Sequence, residues 1–97
     1  GAFCSDVDKA ARDVIKNAGY GEFFSHSTGH GIGLFIHERP TVSSNAKGVK
    51  LRAGQVISNE PGIYLPKKFG VRIEDMLFIT KNGCKNLTKA PKDLIIL

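Results

Sequence analysis

The chain predicts an α+β fold: one amphipathic helix at the N-terminus, then short strands forming a mostly antiparallel sheet. Apolar residues recur at three- and four-residue intervals from Val7 to Ala18, as on one face of a helix. From Gln55 onward they alternate instead, and Lys81-Asn82-Gly83 breaks the alternation as a tight turn would. With 97 residues, of which 41% are apolar and 24% charged, the chain makes one small folded domain with a core barely large enough to be self-sufficient.

Ser5 or Asp6 can cap the helix, whose apolar positions are Val7, Ala10, Ala11, Val14, Ile15 and Ala18. Lys16 favours the negative end of its dipole, and Gly19 supplies a left-handed stop. Glu22 to Ser25 reads as a short extended piece, and Leu34-Phe35-Ile36 as the heart of a strand. Residues 41–54, rich in Ser, Asn, Lys and Gly, read as a surface loop ending in a turn at Arg52-Ala53-Gly54. Strands follow over Gln55–Asn59, Ile63–Leu65 and, longer, Val71–Thr80. Asn82 and Gly83 tolerate the positive φ of hairpin loops, so a last strand over Cys84–Thr88 folds back on the one before. The apolar tail Leu94–Leu97 either docks or frays.

The net charge of +5 is spread along the chain without a basic cluster, so solvated faces account for it better than nucleic acid does. No apolar run approaches the roughly 18 residues that cross a bilayer, and no membrane association is expected. Without a leader-like segment, Cys4 and Cys84 are expected to be reduced thiols of a cytoplasmic protein.

All three histidines, His26, His30 and His37, fall within a dozen residues threaded with glycine and closed by Pro40. Imidazole is the commonest metal ligand and the side chain best suited to trading protons near neutral pH. His30, between Gly29 and Gly31, has no bulky neighbour in sequence to bury it. An ordinary loop histidine is the bland alternative. Glu60 ends an apolar strand and is followed by Pro61-Gly62, which stops the strand and leaves the carboxylate at its tip. In Arg72-Ile73-Glu74-Asp75-Met76, strand alternation puts Arg72, Glu74 and Met76 on one face. There the plain alternative is a surface ladder of ion pairs. Gly29-His30-Gly31-Ile32-Gly33 also brings a nucleotide loop to mind, but it lacks the strand-to-helix context and the glycine spacing of a dinucleotide fingerprint.

Taken together, His26-Ser27-Thr28-Gly29-His30-Gly31-Ile32-Gly33-Leu34, Ile36-His37-Glu38-Arg39-Pro40, Glu60-Pro61-Gly62-Ile63-Tyr64 and Gly70-Val71-Arg72-Ile73-Glu74-Asp75 resemble, in this order, the metallopeptidases of the creatinase and aminopeptidase P family. The last two motifs resemble the Xaa-Pro aminopeptidase and prolidase branch. The likeness runs from Ala18-Gly19-Tyr20-Gly21 to Leu87-Thr88. It implies the curved sheet of a pita-bread fold, with residues 1–97 forming the C-terminal half of its catalytic domain. It further implies that His30 and Glu60 ligate one metal ion, that Glu74 bridges two, that His26 and His37 lie on the substrate side, and that Arg72 stands beside them. Two divalent ions are then the cofactor in the intact enzyme, with manganese the first choice and cobalt or zinc the alternatives. The substrate is a peptide with proline on the nitrogen side of the cleaved bond, and Glu60 could accept a proton during its hydrolysis.

Such enzymes take a further pair of aspartates from an N-terminal half, on an Asp-x-Gly motif that is absent here. Asp6, Asp8 and Asp13 lie on the helix, and none of Asp6, Asp8, Asp13, Asp75 and Asp93 can be assigned to that role. The chain alone is therefore expected to be inactive, to need its N-terminal half as partner, and to expose apolar surface that favours a homodimer. A non-catalytic, peptide-binding or scaffold module of the same fold is the competing expectation, although a binder has no need of His30, Glu60 and Glu74 together.

Overall fold

Helix α1 spans Cys4–Asn17 in the computed structural model, which describes residues 1–97. Phe3, not Ser5 or Asp6, occupies its N-cap and makes no side-chain cap bond. Of the first-turn amides, that of Cys4 donates to the Val49 carbonyl at 2.8 Å and that of Asp6 to the Phe3 carbonyl at 3.0 Å. Gly19, at φ +93°, ends the helix as expected. The packed stripe differs from the predicted one. Cys4 and Asp8 are buried, Val7, Ala11 and Ile15 half-buried, whereas Ala10, Val14 and Ala18 face outward. A charged residue thus anchors the helix, which apolar periodicity cannot foresee.

After a 3-10 turn at Gly21–Phe23, where an extended piece was expected, come seven strands: β1 (Gly29–Gly31), β2 (Glu38–Val42), β3 (Val56–Asn59), β4 (Gly62–Leu65), β5 (Phe69–Arg72), β6 (Asp75–Ile79) and β7 (Cys84–Asn86). Five form one sheet in the order β2-β1-β3-β6-β7, while β4 and β5 form a separate hairpin. Every pairing is antiparallel.

Three expectations about strands are corrected. Leu34, Phe35 and Ile36 are not a strand but an exposed loop, with 98%, 70% and 78% of their surfaces accessible. The histidine-bearing strand is β1, and its partner β2 takes the residues that lead into the predicted loop. The link after β2 is not purely surface either. Leu51 is buried in the core, its N–H bonds to the Ala2 carbonyl, and the Val49 carbonyl accepts from the N–H of Cys4, strapping the link across the start of α1. Finally, Val71–Thr80 is not one strand. It breaks at Ile73 and Glu74, so that β5 and β6 belong to different sheets.

The turns at Arg52-Ala53-Gly54 and Lys81-Asn82-Gly83 form where predicted. In the second, the Thr80 N–H bonds to the Gly83 carbonyl at 2.9 Å, yet neither Asn82 nor Gly83 adopts a positive φ. The tail Leu94–Leu97 is exposed.

The core is small: Cys4, Val42, Leu51, Ile57 and Ile79, with Val7, Ala46 and Leu77 packed against it. Phe69, Val71, Ile73, Met76, Phe78 and Leu87 remain substantially exposed along the far strands. Exposed apolar side chains of this number are the kind of surface that a partner covers. Cys4 and Cys84 are free thiols, the first buried and the second exposed. No helix is long and apolar enough to cross a membrane.

Candidate metal centre

His30 is placed by two backbones that press on its flanks. On one side β1 pairs with β2, with His30 opposite Thr41 and Gly31 opposite Glu38, a register shift that marks a bulge. On the other side Gly31 pairs with Ile57 of β3, and the His30 N–H donates to Ser58 Oγ at 3.1 Å. Bulges re-aim side chains beside functional sites. His30 Nδ1–H donates to the Gly31 carbonyl at 3.0 Å, which leaves Nε2 as the free lone pair. That lone pair faces Glu60 Oε1 at 3.8 Å.

Glu60 follows β3, and its N–H donates to the Thr28 carbonyl at 2.7 Å, so its backbone is tied to the residue just before the strand that carries His30. Glu74 stands in the break between β5 and β6. A hydrogen bond with Glu60 raises its proton affinity above that of an ordinary glutamate, with desolvation and the Glu60 charge adding to the effect and the charges of Arg72 and His30 opposing it. Both carboxyl groups line the same cavity. Despite the strand break, Arg72, Glu74 and Met76 do share a face: all three line a cavity of about 420 Å³ together with His30, Ile32, Glu60, His37 and the Leu34–Ile36 loop. His37 packs edge-on against His30, with ring centres 4.5 Å apart.

His26 lies outside that lining. Its Nδ1–H donates to the Ser27 carbonyl at 2.7 Å, and its Nε2 accepts from the Tyr64 hydroxyl at 2.9 Å. The same hydroxyl accepts from Arg72 Nε–H at 2.8 Å, so Tyr64 joins His26 to Arg72. Tyr64 was not singled out in the sequence. Its only signal was membership of the Glu60–Tyr64 motif.

No three His, Cys, Asp or Glu side chains converge closely enough to cage an ion. The pair His30 and Glu60 nevertheless fits one. His30 Nε2 and Glu60 Oε1, 3.8 Å apart, are too far apart for a hydrogen bond. An ion with bonds of about 2.0–2.2 Å to each donor would span that gap. Nitrogen and oxygen donors without thiolate suit manganese, cobalt or zinc.

A helix-backed antiparallel sheet opening onto a cavity of imidazole and carboxylate is the architecture of part of a pita-bread fold. The chain belongs to metallopeptidase family M24, whose pattern matches residues 1–81. It is 55% identical over 95 residues to an Xaa-Pro dipeptidase of Pyrococcus horikoshii, an alignment covering 98% of this chain and 27% of that protein. Its structure resembles the Xaa-Pro dipeptidase from Bacillus anthracis, with a TM-score of 0.95, 49% identity and coverage of 100% of this chain and 27% of the other. It likewise resembles the X-Pro aminopeptidase from Thermotoga maritima, with a TM-score of 0.94, 43% identity and the same coverage. The chain thus spans about a quarter of the length of the relatives it matches, 27% of the first.

Proposed function

We propose that this chain carries the histidine and glutamate ligands of a metal-dependent Xaa-Pro peptidase, a dipeptidase or aminopeptidase that hydrolyses the peptide bond to a proline nitrogen. The observation that carries the proposal is His30 Nε2 facing Glu60 Oε1 in a cavity that Glu74 also lines. The Xaa-Pro peptidases named above support the choice of substrate class. In this reading His30 and Glu60 would hold one ion and Glu74 would help to hold a second. Divalent ions, manganese first, would lower the pKa of water and polarise the scissile carbonyl.

The chain's own residues do the rest. Glu60 accepts the proton that the nucleophile gives up, and Arg72 and Glu74 set the charge beside it. His37, on the cavity wall, contacts the substrate and steadies charge developing on the carbonyl. His26, one hydrogen bond further back, keeps the Tyr64 hydroxyl in place between itself and Arg72. Tyr64→Phe breaks both of those bonds while keeping the ring. It should lower kcat of the full-length protein about tenfold with little change in thermal stability, which steady-state kinetics beside a melting curve would show.

The remaining ligands are assigned to an N-terminal half of the catalytic domain, which is the partner this chain requires. Its exposed apolar strands support such a partner, and without it they favour self-association into a homodimer. A cytoplasmic location is part of the same reading. The test is hydrolysis of an Xaa-Pro dipeptide. The full-length protein loaded with manganese should cleave it, and residues 1–97 alone should not. A loaded full-length protein that binds the dipeptide without cleaving it would instead establish the scaffold reading.

A further inference from the structure

We propose that Asp8 and Arg12, one turn apart on α1, are positioning residues that hold the Glu60 backbone and the His26 segment from behind the sheet. The inference rests on the metal-site reading above. Asp8 is fully buried, a place that carboxylates occupy only when partnered. Arg12 grips it through two donors, Nε to Oδ2 at 2.8 Å and Nη2 to Oδ1 at 3.1 Å. Asp8 Oδ1 also accepts from the Thr28 N–H at 3.1 Å and from the Thr28 hydroxyl at 2.9 Å. Two further donors of Arg12, on Nη1 and Nη2, reach the carbonyls of Phe24 and His26, each at 2.9 Å. Its guanidinium lies 4.1 Å from the centre of the Phe24 ring, which in turn meets the His26 ring edge-on.

One short path therefore runs from the helix to a cavity residue, and a second to the His26 segment beside it. Asp8 fixes Thr28, and the Thr28 carbonyl fixes the Glu60 N–H at 2.7 Å. Arg12 fixes the His26 carbonyl, two residues before Thr28. A helix could dock on this sheet as well with an apolar pair, since buried ion pairs are often no more stabilising than hydrophobic replacements of similar volume. What an apolar pair cannot do is specify the backbone groups of residues 24, 26 and 28. Geometry, rather than stability, is the distinctive contribution of this pair.

The experiment uses the full-length protein and its Asp8→Asn and Arg12→Lys variants. Manganese affinity is measured by calorimetry on metal-free protein, well below each variant's melting temperature, and kcat and KM on an Xaa-Pro dipeptide. The expected result is a manganese Kd raised about tenfold or more, of the size seen for partners that orient ligands, with kcat reduced more than KM is changed. Folded variants with wild-type Kd and kcat would overturn the proposal, leaving the pair as a fold-stabilising contact only. If Asp8→Asn does not fold, Arg12→Lys decides by the same criteria, because it keeps the charge and loses the multiple reach. A wild type that binds manganese but cleaves no Xaa-Pro peptide would overturn the peptidase reading alone, and the shift in Kd would still decide this one.

Discussion

Replacing Glu60 by glutamine should reduce kcat of the manganese-loaded full-length protein by about a thousandfold, the range expected when a proton acceptor in the transition state is lost. The substitution keeps the shape of the side chain, and the backbone N–H that bonds to the Thr28 carbonyl is untouched. The fold should therefore survive, with a melting temperature of the metal-free protein close to that of the wild type. What disappears is the negative charge opposite the His30 lone pair and, with it, both the attraction for a cation at that gap and the capacity to take a proton. Kinetics at saturating manganese separate the two losses. If extra metal restores full activity, Glu60 serves as a ligand alone. If activity stays low with metal bound, the carboxylate also handles the proton. Retention of more than about a tenth of wild-type activity under ordinary loading would exclude Glu60 from the reaction.

The residues of the cavity were legible in the sequence because their chemistry is written in local punctuation: glycines on both sides of His30, a Pro-Gly stop after Glu60, and alternation that puts Arg72 and Glu74 on one face. The shared face persists although the strand is broken. The break at Ile73 and Glu74 passes the chain from one sheet to another while keeping Arg72, Glu74 and Met76 directed at the same cavity. Alternation encodes direction, and it does not say which strand pairs with which.

The errors have equally physical origins. Leu34-Phe35-Ile36 reads as strand because its residues are apolar and β-favouring, yet the loop is held out by Glu38, whose carboxylate accepts from the Phe35 N–H at 3.3 Å. Asp8 and Arg12 are spaced as a solvated i, i+4 pair on a helix surface, and nothing local distinguishes that from a buried pair reaching three backbone groups on another segment. Tyr64 was hidden for a similar reason, since its two partners, His26 and Arg72, are 38 and 8 residues away in sequence.

The largest effect on folding should come from Gly29→Ala. Strand β1 is only three residues long and lies between β2 and β3, so its glycines sit where two neighbouring backbones close in. A Cβ on Gly29 would lie 1.8 Å from the Ser58 carbonyl oxygen and 2.7 Å from its carbon, and one on Gly31 would lie 2.1 Å from the Arg39 carbonyl oxygen. These obstacles are backbone atoms in a hydrogen-bonded sheet, which cannot swing aside as a side chain could. Relief requires β1 to move off β3, and that movement breaks the His30 N–H bond to Ser58 Oγ and carries the imidazole away from Glu60. Gly29→Ala should thus cost about 3 kcal/mol, at the upper end of ordinary overpacking, and should weaken manganese binding in whatever folded fraction remains. Gly83→Ala is the matched control. No atom lies within 4 Å of a Cβ there and its φ is not positive, so the melting temperature should be unchanged or slightly raised. Thermal unfolding of the two variants beside the wild type separates the cases. Equal melting temperatures for all three would mean that β1 has slack to move, and the close approach of strands could then no longer explain why His30 is flanked by glycine.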